Sequence, residues 1–166
     1  KVAILEDYAR ASQSFGDWSA IQRRAEVIVV SQPLDETAMV ELLQPFDILC
    51  VMRDRTTVTD EILDKLPNLK AIILSDPYVR TVDRAAAAAR GVAIVEGKAP
   101  EGTQITLHDT AELNWGLLLA MVRHIAAEVE HLRQGLWQST LGISFAGTTY
   151  GIRGIGRTGS RVLGYA

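Results

Sequence analysis

Two histidines flank a glutamate at helical spacing, and together they are the clearest candidates for chemistry in this sequence. His124, Glu128 and His131 are separated by four and three residues, so on a helix they share one face. Imidazole nitrogens and a carboxylate are suitable ligands for zinc or manganese. The spacing therefore predicts a candidate divalent-metal site, which the same face of a second chain could complete. The alternative is a polar helix face in contact with water.

A second cluster of the same residue types comes earlier in the chain, at His108, Asp109 and Glu112. A metal held at either cluster would lower the pKa of its bound water towards about 7 and polarise an ester group. One functional hypothesis is therefore a repurposed, metal-dependent hydrolase of small activated phosphate or carboxylate esters.

Three glycines near the end of the sequence, Gly154, Gly156 and Gly159, form a GxGxxG motif between an apolar run and a helix start. In dinucleotide-binding units such glycines allow a tight turn, close approach of a pyrophosphate, and close packing of helix on strand. The acidic residue expected about 20 positions later, which would bind the ribose, is absent from these 166 residues. We therefore expect NAD binding to be lost and the glycines to be vestigial.

The elements that position these residues follow from the apolar pattern. Five strand-sized runs rich in β-branched residues alternate with helical patterns at 35–46, 59–66 and 83–90, which predicts a flavodoxin-like α/β domain with a parallel sheet over 1–107. The runs are 2–5, 25–30, 48–52, 70–74 and 92–95.

A long helix is predicted next, within the segment 108–138, and an orphan first strand-turn-helix of a Rossmann domain over 139–166. The apolar stripe of the long helix must be buried, so we expect it to form a homodimer. The strand at 148–153 has no predicted neighbour, and we expect it to be exchanged between two chains.

Composition limits the classes of partner. The net charge of -3 provides no basic field for nucleic acid or an anionic membrane, and 48% hydrophobic residues are ordinary for a globular protein. The longest apolar stretch is interrupted by polar residues, so no membrane span is expected. The only cysteine, Cys50, lies in an apolar run and is predicted to be a core thiol, which suits a cytoplasmic location.

Several segments, taken together, resemble the N-terminal part of the D-2-hydroxyacid dehydrogenase family. In that family the first domain binds substrate, the interdomain helix packs against a second subunit, and the catalytic arginine, glutamate and histidine follow the glycine motif. The resemblance therefore implies a truncated member that is not competent for hydride transfer alone. The similar segments are 52–56, 69–75, 82–92, 110–115 and 135–138, followed by the glycine motif.

The resemblance also points to a substrate side. The loops with Arg53, Ser75 and Asp76 match the family's substrate loops, although 75–80 lacks the usual glycine. Glycine would let backbone amides approach a substrate carboxylate, whereas Asp76 would repel it. Arg53 could pair with a small anion, or it could be an ordinary surface arginine. The alternatives to a hydrolase are therefore a non-catalytic dimeric fragment and a module that binds a small anion or a dinucleotide.

Overall fold

Five short strands form one parallel sheet. The computed structural model describes residues 1–97 and 108–166. The strand order is β2-β1-β3-β4-β5, the flavodoxin-like order, and each neighbouring pair is parallel. The predicted α/β class and the five predicted strands are confirmed. The strands are β1 (Val2–Ile4), β2 (Val27–Val29), β3 (Ile48–Val51), β4 (Ala71–Leu74) and β5 (Ala93–Glu96).

Side-chain caps define where three of the helices begin. Asp35, Thr59 and Asp83 accept hydrogen bonds from backbone amides of the first turns of α2, α3 and α4, as N-cap residues do. The helix α4 ends before Gly91, whose φ of 70° continues the chain in the left-handed region. A short 3-10 turn at Ser12–Ser14 and the helix α1 were not predicted. The helices are α1 (Ser19–Gln22), α2 (Glu36–Leu43), α3 (Asp60–Asp64) and α4 (Arg84–Ala89).

The core lies where alternate residues of the central strands meet the apolar sides of α2, α3 and α4. Leu49 of β3 and Ile72 of β4 are fully buried and pair across the two strands. Cys50, on the same strand as Leu49, is only partly exposed, and burial raises the pKa of its thiol to about 11. The thiol therefore stays protonated near neutral pH, in agreement with the predicted structural role.

The chain divides into two compact units, Lys1–Pro100 and Glu101–Ala166. The predicted boundary after residue 107 falls in 98–107, outside the described residues. The second unit contains the helices α5 (His108–Val122), α6 (Ile125–Arg133) and α7 (Arg157–Leu163). In the described parts of both units, no helix is long and apolar enough to cross a membrane.

The prediction of one continuous long helix is wrong, because the helix is interrupted between α5 and α6. His124 has a φ of 53°, in the left-handed region that ends an α-helix. The carbonyl of Val122 accepts a hydrogen bond from the amide of Ile143 at 2.8 Å. A Cβ atom on Gly142 would lie only 2.9 Å from the Cα of Arg123, so the returning chain packs directly on the break. The apolar stripe of the sequence continues across this break, so the apolar pattern does not indicate where the helix ends.

The predicted strand at 148–153 is also absent from the described chain. Within the described residues of one chain no neighbouring strand lies beside it, and its exchange with a second chain stays a prediction. The segment is held by aromatic contacts instead. The rings of Trp115 and Tyr150 have centroids 5.9 Å apart, and the Tyr150 hydroxyl donates to Asn114 Oδ1 at 3.0 Å.

Candidate functional site

The carboxyl ends of β3 and β4 bring together the three residues predicted to face substrate. Arg53 follows β3, and Ser75 and Asp76 follow β4, which is the neighbouring strand. The amide of Ser75 continues the sheet ladder by donating to the Val51 carbonyl at 3.1 Å. The Ser75 hydroxyl in turn accepts from the Arg53 amide at 3.1 Å. The backbone at the base of Arg53 is therefore fixed to the adjacent loop, while its role towards a substrate stays a prediction.

The guanidinium of Arg53 lies in an acidic setting. Its Nε donates to Asp54 Oδ2 at 3.1 Å, and its Nη1 lies 3.7 Å from Asp76 Oδ2. The ring of Tyr78 is 6.0 Å from the guanidinium carbon, at the limit of a cation–π contact. The Arg53 side chain is 53% exposed, so it remains open to a ligand that approaches from solvent.

A second polar cluster, at the end of β1, was missed by the sequence reasoning. Glu6 has a φ of 54°, and its carboxylate accepts hydrogen bonds from Tyr8 Oη at 2.7 Å and from Thr56 Oγ1 at 2.6 Å. Arg55 donates to the Glu6 carbonyl, and its guanidinium carbon lies 4.7 Å from the centre of the Tyr8 ring. The available signal was the acidic pair Glu6 and Asp7, placed directly after the first predicted strand.

Hydrogen bonds shift the pKa values of two groups in this cluster. Donation to the Glu6 carboxylate raises the pKa of Tyr8, since losing that proton would place two negative charges together. The Asp7 carboxylate is buried and accepts from the amides of Ala11 and Ser12 at 3.0 and 2.9 Å. These bonds, chiefly those from Ser12, lower the pKa of Asp7, so it stays ionised and holds the turn that follows β1.

A cavity of about 370 Å³ opens beside this cluster. It lies at the neighbouring strands β1 and β3. The chain continues from β1 to β2 on one side and from β3 to β4 on the other, and open α/β sheets commonly bind ligands at such a point. The lining of the cavity includes the apolar residues Leu5, Met39 and Ile62 and the charged residues Glu6 and Arg55. Glu6 is already engaged by Tyr8 and Thr56, and Arg55 by the Glu6 carbonyl and the Tyr8 ring, so neither of these two charged groups is free to bind a ligand.

The predicted metal cluster at the start of α6 is only partly assembled. His124 is the N-cap residue of α6, and Glu128 and His131 lie within the helix. The Glu128 carboxylate accepts from the amide and hydroxyl groups of both Ser139 and Thr140, at 2.5 to 3.3 Å. These bonds, led by that from the Thr140 hydroxyl, lower the pKa of Glu128. Glu128 therefore holds the loop that follows α6.

Ser139 and His131 form a pair that could be mistaken for an activated nucleophile. Ser139 Oγ lies 2.5 Å from His131 Nδ1. An acyl-transfer site also needs donors for an oxyanion, usually backbone amides beside the nucleophile. The amides of Ser139 and Thr140 both point at the Glu128 carboxylate instead. The arrangement is that of a fixed loop, and it gives no support to ester hydrolysis.

The second predicted cluster is dispersed by contacts with α7 and the residues after it. His108 Nδ1 lies 2.5 Å from Tyr165 Oη, and its Nε2 lies 3.2 Å from Arg161 Nη1. Because arginine can only donate, Nε2 must accept, and its lone pair is not free for a metal. Neither Asp109 nor Glu112 joins it in a ligand set. Within residues 1–97 and 108–166 of one chain, no group of three histidine, cysteine, aspartate or glutamate residues could hold a metal ion.

The glycine motif adopts the turn that its sequence suggests. Gly154 has a φ of 91°, and Gly156 is the N-cap residue of α7. A Cβ atom on Gly159 would overlap the carbonyl oxygen of Gly154, so only glycine lets the helix close on the turn. The helix is anchored to α5, since Trp115 Nε1 donates to the Val162 carbonyl at 2.8 Å. The geometry therefore explains the first and third glycines without a cofactor, and dinucleotide binding stays untested.

Comparison with known proteins identifies what this arrangement is similar to. Residues 2–140 match the family model described as "D-isomer specific 2-hydroxyacid dehydrogenase, catalytic domain". The chain is 33% identical over 138 residues to a D-3-phosphoglycerate dehydrogenase of Methanocaldococcus jannaschii. That alignment covers 82% of this chain and 25% of the relative.

Two solved structures share the fold over nearly the whole chain. A phosphoglycerate oxidoreductase from Vibrio cholerae superposes with a TM-score of 0.85 at 34% identity, covering 99% of this chain and 52% of that one. A putative D-3-phosphoglycerate dehydrogenase from Ralstonia solanacearum gives a TM-score of 0.84 at 30% identity, covering 99% and 51%. The chain thus spans about half the length of these solved chains and a quarter of the archaeal relative.

Proposed function

The chain belongs to the D-isomer specific 2-hydroxyacid dehydrogenase family, and on that premise we propose that residues 1–97 are its substrate-binding unit, with Arg53 as the anchor for an anionic group. The observation that carries this proposal is the fixed position of Arg53. Its backbone is tied to Ser75 at 3.1 Å, whereas its guanidinium is half exposed at the carboxyl ends of β3 and β4. Ligands of open parallel sheets bind at that edge.

The proposed substrate class is a small 2-hydroxy or 2-oxo acid with a second anionic group. The relatives named for phosphoglycerate support this choice, and a guanidinium suits either a carboxylate or a phosphate because its paired donors match two oxygens. The aliphatic part of such a ligand is short, and Arg53 lies on the loop beside the one that carries Ser75 and Asp76. A partly exposed arginine with competing carboxylates nearby should bind it weakly.

We propose further that these 166 residues bind such a ligand without carrying out hydride transfer. The family resemblance implies a catalytic arginine, glutamate and histidine after the glycine motif, and only seven residues follow Gly159 in this sequence. The histidine cluster of α6 supplies no substitute, since Glu128 is bound to the loop at Ser139. We therefore expect these 166 residues to bind the ligand without turning it over.

The test is a titration of the isotopically labelled chain with 3-phosphoglycerate, followed by backbone amide chemical shifts. We expect saturable changes at 53–56 and 75–80, and at least tenfold weaker binding in Arg53→Met. Arg24→Met is the matched control. Arg24 is an exposed arginine that precedes β2, and it lies at the amino ends of the strands, whereas Arg53 lies at their carboxyl ends. Saturable binding that Arg53→Met leaves unchanged would contradict the proposed anchor.

The metal-dependent hydrolase stays a separate prediction that now lacks support from one chain. Completing a site with His124 and His131 would require ligands from a second copy, and Glu128 would have to release Ser139 and Thr140. Turnover of an activated ester that a chelator abolishes, and that His131→Ala removes, would restore the hypothesis.

A further inference from the structure

One carboxylate in the loop after β4 contacts two of the donors that surround the proposed ligand site. Asp76 Oδ1 accepts from the amide of Tyr78 at 2.6 Å, and Asp76 Oδ2 lies 3.7 Å from Arg53 Nη1. The carbonyl of the same residue accepts from the amide of Val79 at 3.5 Å, which closes a turn from Asp76 to Val79. Asp76 therefore links a loop amide to the guanidinium of the neighbouring loop.

An external carboxylate or phosphate at Arg53 would compete with Asp76 for the Nη1 atom of the guanidinium. Guanidinium groups and backbone amides are both strong donors to such groups. In this chain Asp76 already engages both, and its side chain is 32% exposed, less than the 67% of Asp54. Asp54 contacts only the Nε atom of Arg53 and no backbone amide that the structure records.

We propose that Asp76 is an internal competitor for the anion site, which lowers the affinity of Arg53 for substrates that carry a carboxylate or phosphate. The inference rests on the proposed function, since it assigns a specificity role at the same site. An incoming anion must compete with Asp76 for Arg53, and it must also approach the negative charge of the Asp76 carboxylate. Ligands that present a neutral carbonyl or hydroxyl oxygen to Arg53 avoid the second cost.

The variant Asp76→Asn separates charge from loop geometry. An asparagine Oδ1 atom can still accept from the Tyr78 amide, so the turn is retained while the negative charge is removed. Removing a partly exposed ion pair together with the repulsion of a second anion should raise the affinity for an anion roughly tenfold, which corresponds to about 1.4 kcal/mol. The matched control is Asp54→Asn, which removes an equal charge from the same arginine and suits the left-handed φ of 55° at this position.

The experiment measures dissociation constants of 3-phosphoglycerate and of inorganic phosphate for the full chain and its variants. We expect Asp76→Asn to bind both about tenfold more tightly than the unaltered chain, Asp54→Asn to change affinity less than threefold, and Arg53→Met in the Asp76→Asn background to abolish the gain. Equal effects of the two asparagine variants would overturn the specific role of Asp76, because they would reflect net charge alone.

Two further outcomes separate this inference from the function on which it rests. If the unaltered chain binds the probes through Arg53 and Asp76→Asn leaves affinity unchanged, the inference fails and the proposed function stands. If no variant binds either probe, including Asp76→Asn, then Arg53 is not an anion anchor and both proposals fail.

Discussion

Replacing Gly159 by alanine tests whether the glycine motif is a packing device in this chain. In an ordinary helix interior, glycine to alanine stabilises by about 1 kcal/mol. At Gly159 the added Cβ would overlap the carbonyl oxygen of Gly154 and lie 3.3 Å from its carbonyl carbon. These are backbone atoms in a tight turn, so they cannot rotate away as a side chain would.

Overpacking of this kind costs about 1 to 3 kcal/mol, which exceeds the gain in helix propensity. We therefore expect Gly159→Ala to lower the free energy of unfolding of the second unit by about 1 kcal/mol. The assay is urea unfolding followed by the fluorescence of Trp115, whose indole donates to the Val162 carbonyl of α7. Trp18, in the first unit, and Trp137, in the second, are replaced by phenylalanine so that only Trp115 contributes to the fluorescence.

Gly116→Ala is the control, since Gly116 lies within α5 and its added Cβ would meet no atom within 4 Å. It should stabilise the same unit by up to about 1 kcal/mol, opposite in sign to Gly159→Ala. The reasoning is refuted if Gly159→Ala is as stable as, or more stable than, the unaltered chain.

Three other predictions concern different parts of the molecule. Acid should release the loop after α6. Because the pKa of Glu128 is lowered in the folded chain, its hydrogen bonds stabilise the loop above the ordinary pKa of 4.5, and this stability is lost as the pH falls through the lower pKa of the folded chain. Glu128→Gln should remove this pH dependence from the protection of the Thr140 amide against hydrogen exchange. Asp83→Ala should cost about 1 kcal/mol in urea unfolding, because its carboxylate accepts from the Ala86 amide at 2.9 Å; an unchanged midpoint would argue against the cap. Leu117 is 63% exposed on α5 and should lie in a dimer interface. Leu117→Glu should therefore shift the sedimentation coefficient towards that of a monomer, and an unaltered chain that sediments as a monomer would contradict this prediction.

The sheet could be predicted because each strand carries its own local signal. Runs such as 48–52 and 70–74 are apolar and β-branched, and they are flanked by helices whose caps, Asp35 and Asp83, are also local. Parallel connection then places the ends of β3 and β4 together, so the proximity of Arg53 and Ser75 followed from topology.

The misses arose where long-range contacts override local pattern. The break at His124 depends on Ile143 reaching back to the Val122 carbonyl, and nothing in the stripe of α5 and α6 records that contact. The Glu6 cluster likewise depends on Thr56, fifty residues away. Helical spacing alone groups His124, Glu128 and His131. It cannot reveal that the Ser139 hydroxyl donates a hydrogen bond to the Glu128 carboxylate.

The most direct test of the account measures binding and turnover on the same preparation of the 166-residue chain. NADH oxidation is followed with hydroxypyruvate and 2-oxoglutarate, in parallel with the amide shifts produced by 3-phosphoglycerate. We expect saturable shifts around Arg53 and Ser75 with no NADH oxidation above the blank. NADH oxidation that Arg53→Met abolishes would contradict the separation of binding from catalysis, and shifts that avoid both loops would contradict the assigned site.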